Sequence, residues 1–159
     1  MTNIHHNQHN SAHTWIIISG WALDSTACIS IQPSSNALFI SHYNPYSLHT
    51  ELPLLIQKYN ITHYSLWGLS MGGMWLSHHP NITKNAHAIQ IMGIKNHYPQ
   101  KNITSMKNEL NTTPKKCVNT FLDTCFSPLH TSLRTTQSYN DAYQDHYHAG
   151  LQYLEQTHF

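Results

Sequence analysis

The sequence predicts an α/β fold in which a parallel sheet is flanked by helices. Four apolar runs of strand length alternate with segments of helical character, which is the pattern of a parallel sheet. A glycine-rich turn, Gly68–Gly73, stands between one of these strands and the helix that follows it. The chain has 159 residues, which is enough for one domain with a substantial core and too few for two.

The first part of the chain is predicted to alternate between strands and helices. Residues 1–12 are polar, rich in histidine and without periodicity, so we expect a disordered tail followed by a core over 13–95. Strands are predicted at 15–18, 37–41, 62–67 and 86–92, the first and last apolar on both faces. Helices are predicted over 47–59, with Ser47 as N-cap, and over 71–79, ending before Pro80.

The last part of the chain, 96–159, is more polar. It is predicted to form a helical segment with helices at 104–110, 113–126 and 139–156.

Composition excludes several classes of partner. Charged residues make up 9% of the chain and the net charge is +1, so we expect no nucleic-acid partner. No apolar stretch approaches the ~20 residues that cross a bilayer, so no membrane partner is expected. The N-terminus shows no secretory signal. Cys28, Cys117 and Cys125 are odd in number and lack CxxC spacing, so they are expected to be free thiols of a reduced, cytoplasmic protein.

Fifteen histidines are spread over the whole chain. They form no HExxH or comparable ligand pattern, so no specific metal site and no cofactor is predicted. Four of them in the N-terminal segment could bind a transition-metal ion loosely: His5, His6, His9 and His13. A His-rich metal-binding module therefore remains one of the alternatives.

The most informative motif is Gly68-Leu69-Ser70-Met71-Gly72, which reads Gly-x-Ser-x-Gly between a strand and a helix. In a nucleophile elbow this turn strains the serine backbone and exposes its hydroxyl at the carboxyl end of a central strand. The backbone N–H of Met71 would then point at a developing oxyanion. In the alternative interpretation, Ser70 only caps the following helix.

Five stretches resemble the α/β-hydrolase family, in particular the pimeloyl-acyl-carrier-protein methyl ester esterases of biotin synthesis. They are Ile16–Leu23, Leu66–Gly73, Ala88–Ile91, Val118–Leu122 and Ala149–Leu154. The resemblance is strong at the Ser70 motif, moderate at Gly20-Trp21, and thin in the C-terminal helices. It implies an α/β-hydrolase-like parallel sheet with a helical cap segment. Ser19 departs from this pattern, because the family usually has histidine before the Gly-Trp pair.

The resemblance also implies roles for individual residues. Ser70 would be the nucleophile, and the backbone N–H groups of Trp21 and Met71 would form the oxyanion hole. Trp21 would also wall the acyl pocket, and Phe121 and Leu122 would line the channel for the acyl chain. Lys116 falls where the family uses a basic residue to meet the carrier protein.

The Asp or Glu and the His that complete the family's catalytic triad come from strands after the cap. Those two strands are absent here, and with them the usual partners of Ser70. His78 and His79 would lie roughly 12 Å from Ser70 along the helix, too far to take its proton. Asp145 and His148 could pair at i, i+3, and His42 is a more distant candidate.

Three hypotheses follow. The chain is a serine carboxylesterase that hydrolyses a carrier-bound or small ester through an acyl-Ser70 intermediate, a shortened relative that only binds acyl chains or carrier protein, or the metal-binding module. A sheet without its last strands exposes an edge beside the fourth predicted strand. A second chain or a homodimer is therefore expected to complete the core.

Overall fold

The sheet has five strands and is mainly parallel. The computed structural model describes residues 2–25, 35–95, 97–126 and 137–157. The strands are β1 (Asn3–Asn7), β2 (Thr14–Ile18), β3 (Asn36–Ser41), β4 (Tyr64–Leu69) and β5 (Ile89–Met92), in the spatial order β1-β3-β2-β4-β5. Strands β2 to β5 pair in parallel, and β1 runs antiparallel to β3. The predicted α/β class and its parallel sheet are confirmed.

Strand β1 corrects the sequence-based expectation of a disordered tail, which is wrong for Asn3–Asn7. This segment pairs along its whole length with β3, and Ile4 lies opposite Ile40. The ring of His6 packs against that of Tyr59, with centroids 4.5 Å apart. Apolar periodicity in a sequence reveals only which side chains are buried. Strand β1 is instead held by backbone hydrogen bonds to the buried strand β3, so the sequence pattern does not show it.

The helices fall into two groups. Next to the sheet are α1 (Leu48–Lys58), α2 (Met71–Ser77) and the short α3 (Pro80–Thr83). The C-terminal group is α4 (Gln100–Thr112), α5 (Pro114–Phe126) and α6 (Gln144–Gln156), the last preceded by a 3-10 turn at Asp141–Tyr143. Ser47 stands at the N-cap of α1 as predicted, but its hydroxyl bonds the Glu51 carboxylate instead of a backbone N–H.

One hydrophobic cluster joins the sheet to the C-terminal helices. It contains Ile16 and Ile18 of β2, Trp75 of α2, Leu110 of α4 and Leu151 of α6, all almost fully buried. A smaller cluster of Ile17, Ala37 and Phe39 lies apart from it. Since successive residues of a strand point to opposite faces, the large cluster covers one face of β2 and the small cluster the other.

The three C-terminal helices are tied together by packing and by polar contacts. Ile103, Cys117, Val118 and Leu122 are buried between them. The Glu155 carboxylate on α6 accepts hydrogen bonds from Lys107 at 2.7 Å and from Gln100 at 2.6 Å, both on α4. Cys117 and Cys125 carry free thiols, and burial raises the pKa of Cys117 to about 11. Cys28 lies outside the described residues.

Strand β5 differs from the prediction. Residues 86–92 are expected to form a strand buried on both faces, but the strand covers only Ile89–Met92 and all four residues are exposed. Ile89 keeps 46% of its surface exposed and Met92 keeps 43%. The reason is position: in the part of the chain that the structure describes, β5 pairs with β4 alone and forms the edge of the sheet. None of the described helices is long and apolar enough to cross a bilayer.

Candidate active site

Ser70 lies in the tight turn between β4 and α2 and has a strained backbone. Its φ is 52° and its ψ is −115°. Residues other than glycine rarely adopt positive φ, and such strain collects at functional sites. Ser70 precedes the first residue of α2, yet its side chain makes no capping hydrogen bond to the helix. The geometry therefore does not support the alternative in which Ser70 only caps the helix.

Two glycines allow the turn to approach β2 and its loop closely. A Cβ on Gly72 would lie 2.2 Å from the carbonyl oxygen of Ile18, which is far inside contact distance. A Cβ on Gly20 would lie 3.1 Å from the Cβ of Ser70. The loop that follows β2, which carries Trp21, therefore lies directly against the serine.

Trp21 and Met71, the predicted oxyanion-hole residues, lie at one place in the fold. Met71 is the first residue of α2, so its N–H has no acceptor within the helix. Both residues line one small cavity of about 10 Å³, room for roughly one water molecule. This placement fits two donors beside Ser70, and their role stays a prediction.

The Trp21 side chain connects this region to the C-terminal helices. Its indole is buried, its Nε1–H donates to the carbonyl oxygen of Tyr147 at 2.8 Å, and its ring meets Phe121 edge-on at 4.8 Å. Phe121 is half-buried, whereas Leu122 is fully buried in the core cluster. Trp21 and Phe121 thus form one aromatic wall. The predicted acyl channel of Phe121 and Leu122 stays a prediction.

Lys116 lies at the surface of α5. Its ammonium group forms an ion pair with Glu109 of α4 at 3.2 Å, and most of its side chain is exposed. It also borders an open cavity of about 620 Å³ together with Lys115, Tyr139 and Asp141. Lys116 is thus an exposed basic side chain that already pairs with Glu109, and its contact with a carrier protein stays a prediction.

Tyr98 is the residue that sequence analysis missed. Its phenolic oxygen lies 3.1 Å from Ser70 Oγ, and it follows β5 in the chain. The ammonium group of Lys95 lies 5.8 Å from the centroid of the Tyr98 ring. No motif marks Tyr98, since 28 residues separate it from Ser70. Only the order of the strands, which sets the loop after β5 beside the turn after β4, brings the two hydroxyls together.

The histidines considered as bases have other contacts. His78 Nδ1 lies 2.8 Å from the carbonyl oxygen of Met74, and His79 Nδ1 lies 2.7 Å from that of Trp75, so both rings fold back on α2. Burial lowers the pKa of His79. The ion pairs among the described residues join Asp24 with His42, Glu155 with Lys107 and Glu109 with Lys116. Asp145 and His148 therefore do not form the suggested pair.

His42 follows β3 and is buried. Its Nε2 lies 3.6 Å from the Asp24 carboxylate, and its ring stacks on Tyr143 with centroids 4.1 Å apart. It lines the same small cavity as Trp21 and Met71. However, β2 separates β3 from β4, and two strand spacings put the carboxyl ends of β3 and β4 roughly 10 Å apart. Among the described residues, Ser70 Oγ has its side-chain hydrogen bond with Tyr98 and none with His42.

A metal centre finds no support in the described ranges, where no three His, Cys, Asp or Glu side chains are grouped to hold an ion. Of the N-terminal histidines, His5 and His6 lie in β1, where His5 packs against Phe39 with ring centroids 5.8 Å apart. His13 packs against Trp15 of β2, with ring centroids 5.9 Å apart.

Comparisons by sequence give no match, either to a family model or to a curated protein. Comparisons of structure do. A carboxylesterase structure from the thaumarchaeon Nitrososphaera gargenis matches with a TM-score of 0.70 at 13% identity, covering 98% of this chain and 68% of that one. An esterase from Exiguobacterium antarcticum gives 0.72 at 12% identity, covering 99% and 70%. The enol-lactonase from Burkholderia xenovorans LB400 gives 0.75 at 10% identity, covering 99% and 71%. The chain therefore has the α/β-hydrolase fold and spans 68% to 71% of the length of these three structures.

Proposed function

We propose that the chain is a cytoplasmic serine carboxylesterase that works through an acyl-Ser70 intermediate. The observation that carries the proposal is the backbone of Ser70, a non-glycine residue held at φ 52° between a central strand and a helix. Such strain persists only where the surrounding structure enforces it, and here Gly72 provides the close contact to β2. The cellular location rests on the free thiols of Cys117 and Cys125.

In this proposal the Ser70 oxygen attacks the ester carbonyl carbon, and the proton of its hydroxyl ends on the alkoxy oxygen that leaves as the alcohol. The N–H groups of Trp21 and Met71 bind the carbonyl oxygen as it gains negative charge, which lowers the barrier to the tetrahedral intermediate. Collapse of the intermediate releases the alcohol and leaves the acyl group on Ser70. A water molecule then attacks the acyl-enzyme, and the carboxylic acid leaves.

The proposed substrate is the methyl ester of a carrier-bound acyl chain, such as pimeloyl-acyl carrier protein in biotin synthesis. The resemblance at Gly20-Trp21, at the Ser70 motif and in the cap supports it. An apolar wall of Trp21 and Phe121 suits an aliphatic chain. The exposed Lys116 suits an acidic carrier surface.

A second polypeptide is proposed to cover β5, either another copy of this chain or a different protein. Ile89, Ile91 and Met92 are large apolar residues exposed on a strand that pairs on one side only. Unpaired strand edges with apolar side chains readily accept another strand.

Reaction with a fluorophosphonate probe tests the esterase proposal. We expect one covalent adduct per chain by intact mass, on a folded protein, and none in Ser70→Ala. If the folded wild-type chain forms no adduct, the esterase proposal is wrong.

The substrate class is tested with the Ser70-dependent release of methanol. Pimeloyl methyl ester on the carrier protein is compared with the same ester as a small thioester. We expect Lys116→Glu to raise KM for the carrier-bound ester and to leave the small ester unchanged. Lys101→Glu, an exposed lysine of α4, is the matched control. An equal effect on both esters contradicts the carrier contact.

A non-catalytic relative that binds acyl chains or carrier protein is the second candidate function. It is favoured by one observation: the side-chain partner that the described residues give Ser70 is a tyrosine hydroxyl, not a histidine. Binding of an acyl carrier protein without Ser70-dependent turnover would support it.

A further inference from the structure

We propose that the groove between β1, α1 and the 3-10 turn before α6 binds an aliphatic carboxylate, that is, an apolar chain that carries one ionised carboxyl group. The groove has a volume of about 730 Å³, which is in the range of small-molecule sites. Its walls include both apolar and charged side chains: Ile4, Glu51, Leu54, Leu55, Lys58 and Tyr143. Binding in this groove is independent of the esterase proposal, because no bond in the ligand is broken.

Helix α1 forms one wall of the groove with a row of four side chains. The row has the spacing i, i+3, i+4 and i+7 and consists of Glu51, Leu54, Leu55 and Lys58. Side chains with this spacing share one face of a helix, and its two ends are about 10 Å apart along the helix axis. Leu54 keeps 64% of its surface exposed, so the apolar centre of the row is open to a ligand.

The Glu51 carboxylate, at one end of the row, is already hydrogen-bonded within the protein on both oxygens. It accepts one hydrogen bond from the Thr2 hydroxyl at 2.6 Å and another from the Ser47 hydroxyl. The bond from Thr2 also ties the residue before β1 to α1, so two walls of the groove are joined before any ligand is bound. Such preorganisation lowers the entropic cost of binding.

The Lys58 ammonium group, at the other end of the row, is available to a ligand. The ion pairs among the residues that the structure describes do not include Lys58, whose side chain is exposed. The ammonium group lies 5.3 Å from the centroid of the Tyr59 ring, another part of the groove wall. A carboxylate paired with Lys58 lies about one Debye length from Glu51, so repulsion between the two anions is largely screened. Charge complementarity therefore selects an anion at the Lys58 end.

The apolar surface of the groove suits an aliphatic chain better than a planar aromatic ring. The two tyrosines in its walls already have aromatic neighbours: His6 packs against Tyr59 with ring centroids 4.5 Å apart, and His42 stacks on Tyr143 with centroids 4.1 Å apart. The other large apolar surfaces are aliphatic and belong to Ile4, Leu54 and Leu55. A flexible chain follows such an irregular surface along the length of the row.

The groove is a separate site from the one around Ser70. It shares no lining residue with the small cavity of Trp21 and Met71. The ring of Tyr143 lies between them, since it borders the groove and stacks on His42, which lines the small cavity. The aliphatic carboxylate is therefore a bound ligand and not the ester that Ser70 is proposed to attack.

The experiment follows the backbone amide signals of the full chain by NMR during titration with sodium octanoate. We expect the signals of Ile4, Leu55 and Tyr143 to move together and to saturate with one dissociation constant. Butanoate has the same carboxylate and a shorter chain, so it should bind about tenfold more weakly, because less apolar surface is buried. Octanol has the same chain without the charge and serves as the neutral comparison.

Two substitutions at exposed positions separate the chain from the charge. Lys58→Gln should weaken octanoate binding about threefold, the size of an exposed ion pair, and should leave octanol binding unchanged. Leu54→Asn should weaken the binding of both ligands about fivefold, because both lose the same apolar contact. Lys84→Gln, which changes an exposed lysine at the end of α3, is the matched control and should alter neither.

Several results would overturn the proposal. Octanoate that causes no saturable shifts, or shifts only outside the groove, does so, and so does an affinity that neither Lys58→Gln nor Leu54→Asn changes. Equal affinity of the wild type for octanoate and octanol, or an equal loss of both in Lys58→Gln, overturns the assignment of a carboxylate. Labelling of Ser70 by a fluorophosphonate does not depend on any of these results, so a failure here is distinguishable from a failure of the esterase proposal.

Discussion

The indole N–H of Trp21 and the carbonyl oxygen of Tyr147 form a buried hydrogen bond of 2.8 Å that joins the loop after β2 to helix α6. The two residues are 126 positions apart in the chain. Gly150, one turn further along α6, completes the contact, because a Cβ there would lie 2.5 Å from Trp21 Cδ1. The residue proposed to wall the substrate pocket is thus held by the C-terminal helix.

Removal of this hydrogen bond is the first prediction. Trp21→Phe keeps an aromatic ring but removes the indole donor to the Tyr147 carbonyl, so we expect a loss of about 0.5–1.5 kcal/mol in the free energy of unfolding beyond the effect of ring size. Urea denaturation measures it. Trp67→Phe is the control, since the Trp67 Nε1 is buried without an acceptor in the described structure and its removal breaks no bond. Equal losses in the two variants would contradict the prediction.

The contact at Gly72 gives a second prediction. Gly72→Ala places a methyl group 2.2 Å from the backbone of β2, which cannot move without disturbing the sheet. We expect a loss of more than about 2 kcal/mol in stability and loss of fluorophosphonate labelling at Ser70.

Gly73→Ala is the graded comparison for Gly72. Its nearest neighbours, at 2.8 Å, are methyl groups of Ile91 and Ile94, side chains that can adjust. We expect a clearly smaller loss of stability from this substitution. A Gly72→Ala protein that is as stable and as reactive as Gly73→Ala would contradict the close approach of the turn to β2.

The third prediction concerns pH. Hydrogen bonds from Lys107 and then Gln100 lower the pKa of Glu155 below its ordinary value of 4.5. A lowered folded-state pKa means that the ionised form is preferred by the folded chain. The contribution is therefore fully present above about pH 4.5 and is lost as pH falls through the lower folded value.

Urea unfolding between pH 3 and pH 7 tests whether the contribution of Glu155 to stability is lost as the pH falls. We expect the stability difference between wild type and Glu155→Gln to be constant above about pH 5 and to shrink below pH 4.5. Asp145→Asn, on the same helix but outside the ion pairs of the described residues, is the control. A difference that grows as the solution is acidified contradicts the prediction.

The fourth prediction is self-association through β5. Light scattering coupled to size-exclusion chromatography should give a mass above that of one 18.3 kDa chain. The double variant Ile89→Lys, Met92→Lys should return the mass to that of the monomer, because charged side chains on an edge strand oppose pairing. Leu54→Lys, an exposed apolar position on α1, should leave the mass unchanged. A wild-type chain that is monomeric at all concentrations rules out a homodimer through this edge.

The sequence predicts the secondary structure well where side-chain burial and backbone geometry point to the same element. Strand β2 is a run of β-branched residues, and the glycines around Ser70 mark the tight turn before α2. The sequence predicts secondary structure poorly where a strand depends on the strands beside it in the sheet. Strand β1 exists because β3 offers it backbone partners. Strand β5 is exposed because of its place at the edge, although Ile89, Ile91 and Met92 are apolar.

By itself the sequence determined the class of fold and the position of one chemical group, since both are local matters of periodicity and of glycines in a turn. The tertiary structure decided what surrounds that group. Ser70 and Tyr98 meet because β4 and β5 are neighbours in the sheet, and Trp21 meets Tyr147 because α6 returns over the loop after β2. Contacts between distant segments depend on strand order and helix packing, and these are properties of the whole chain that no short motif contains.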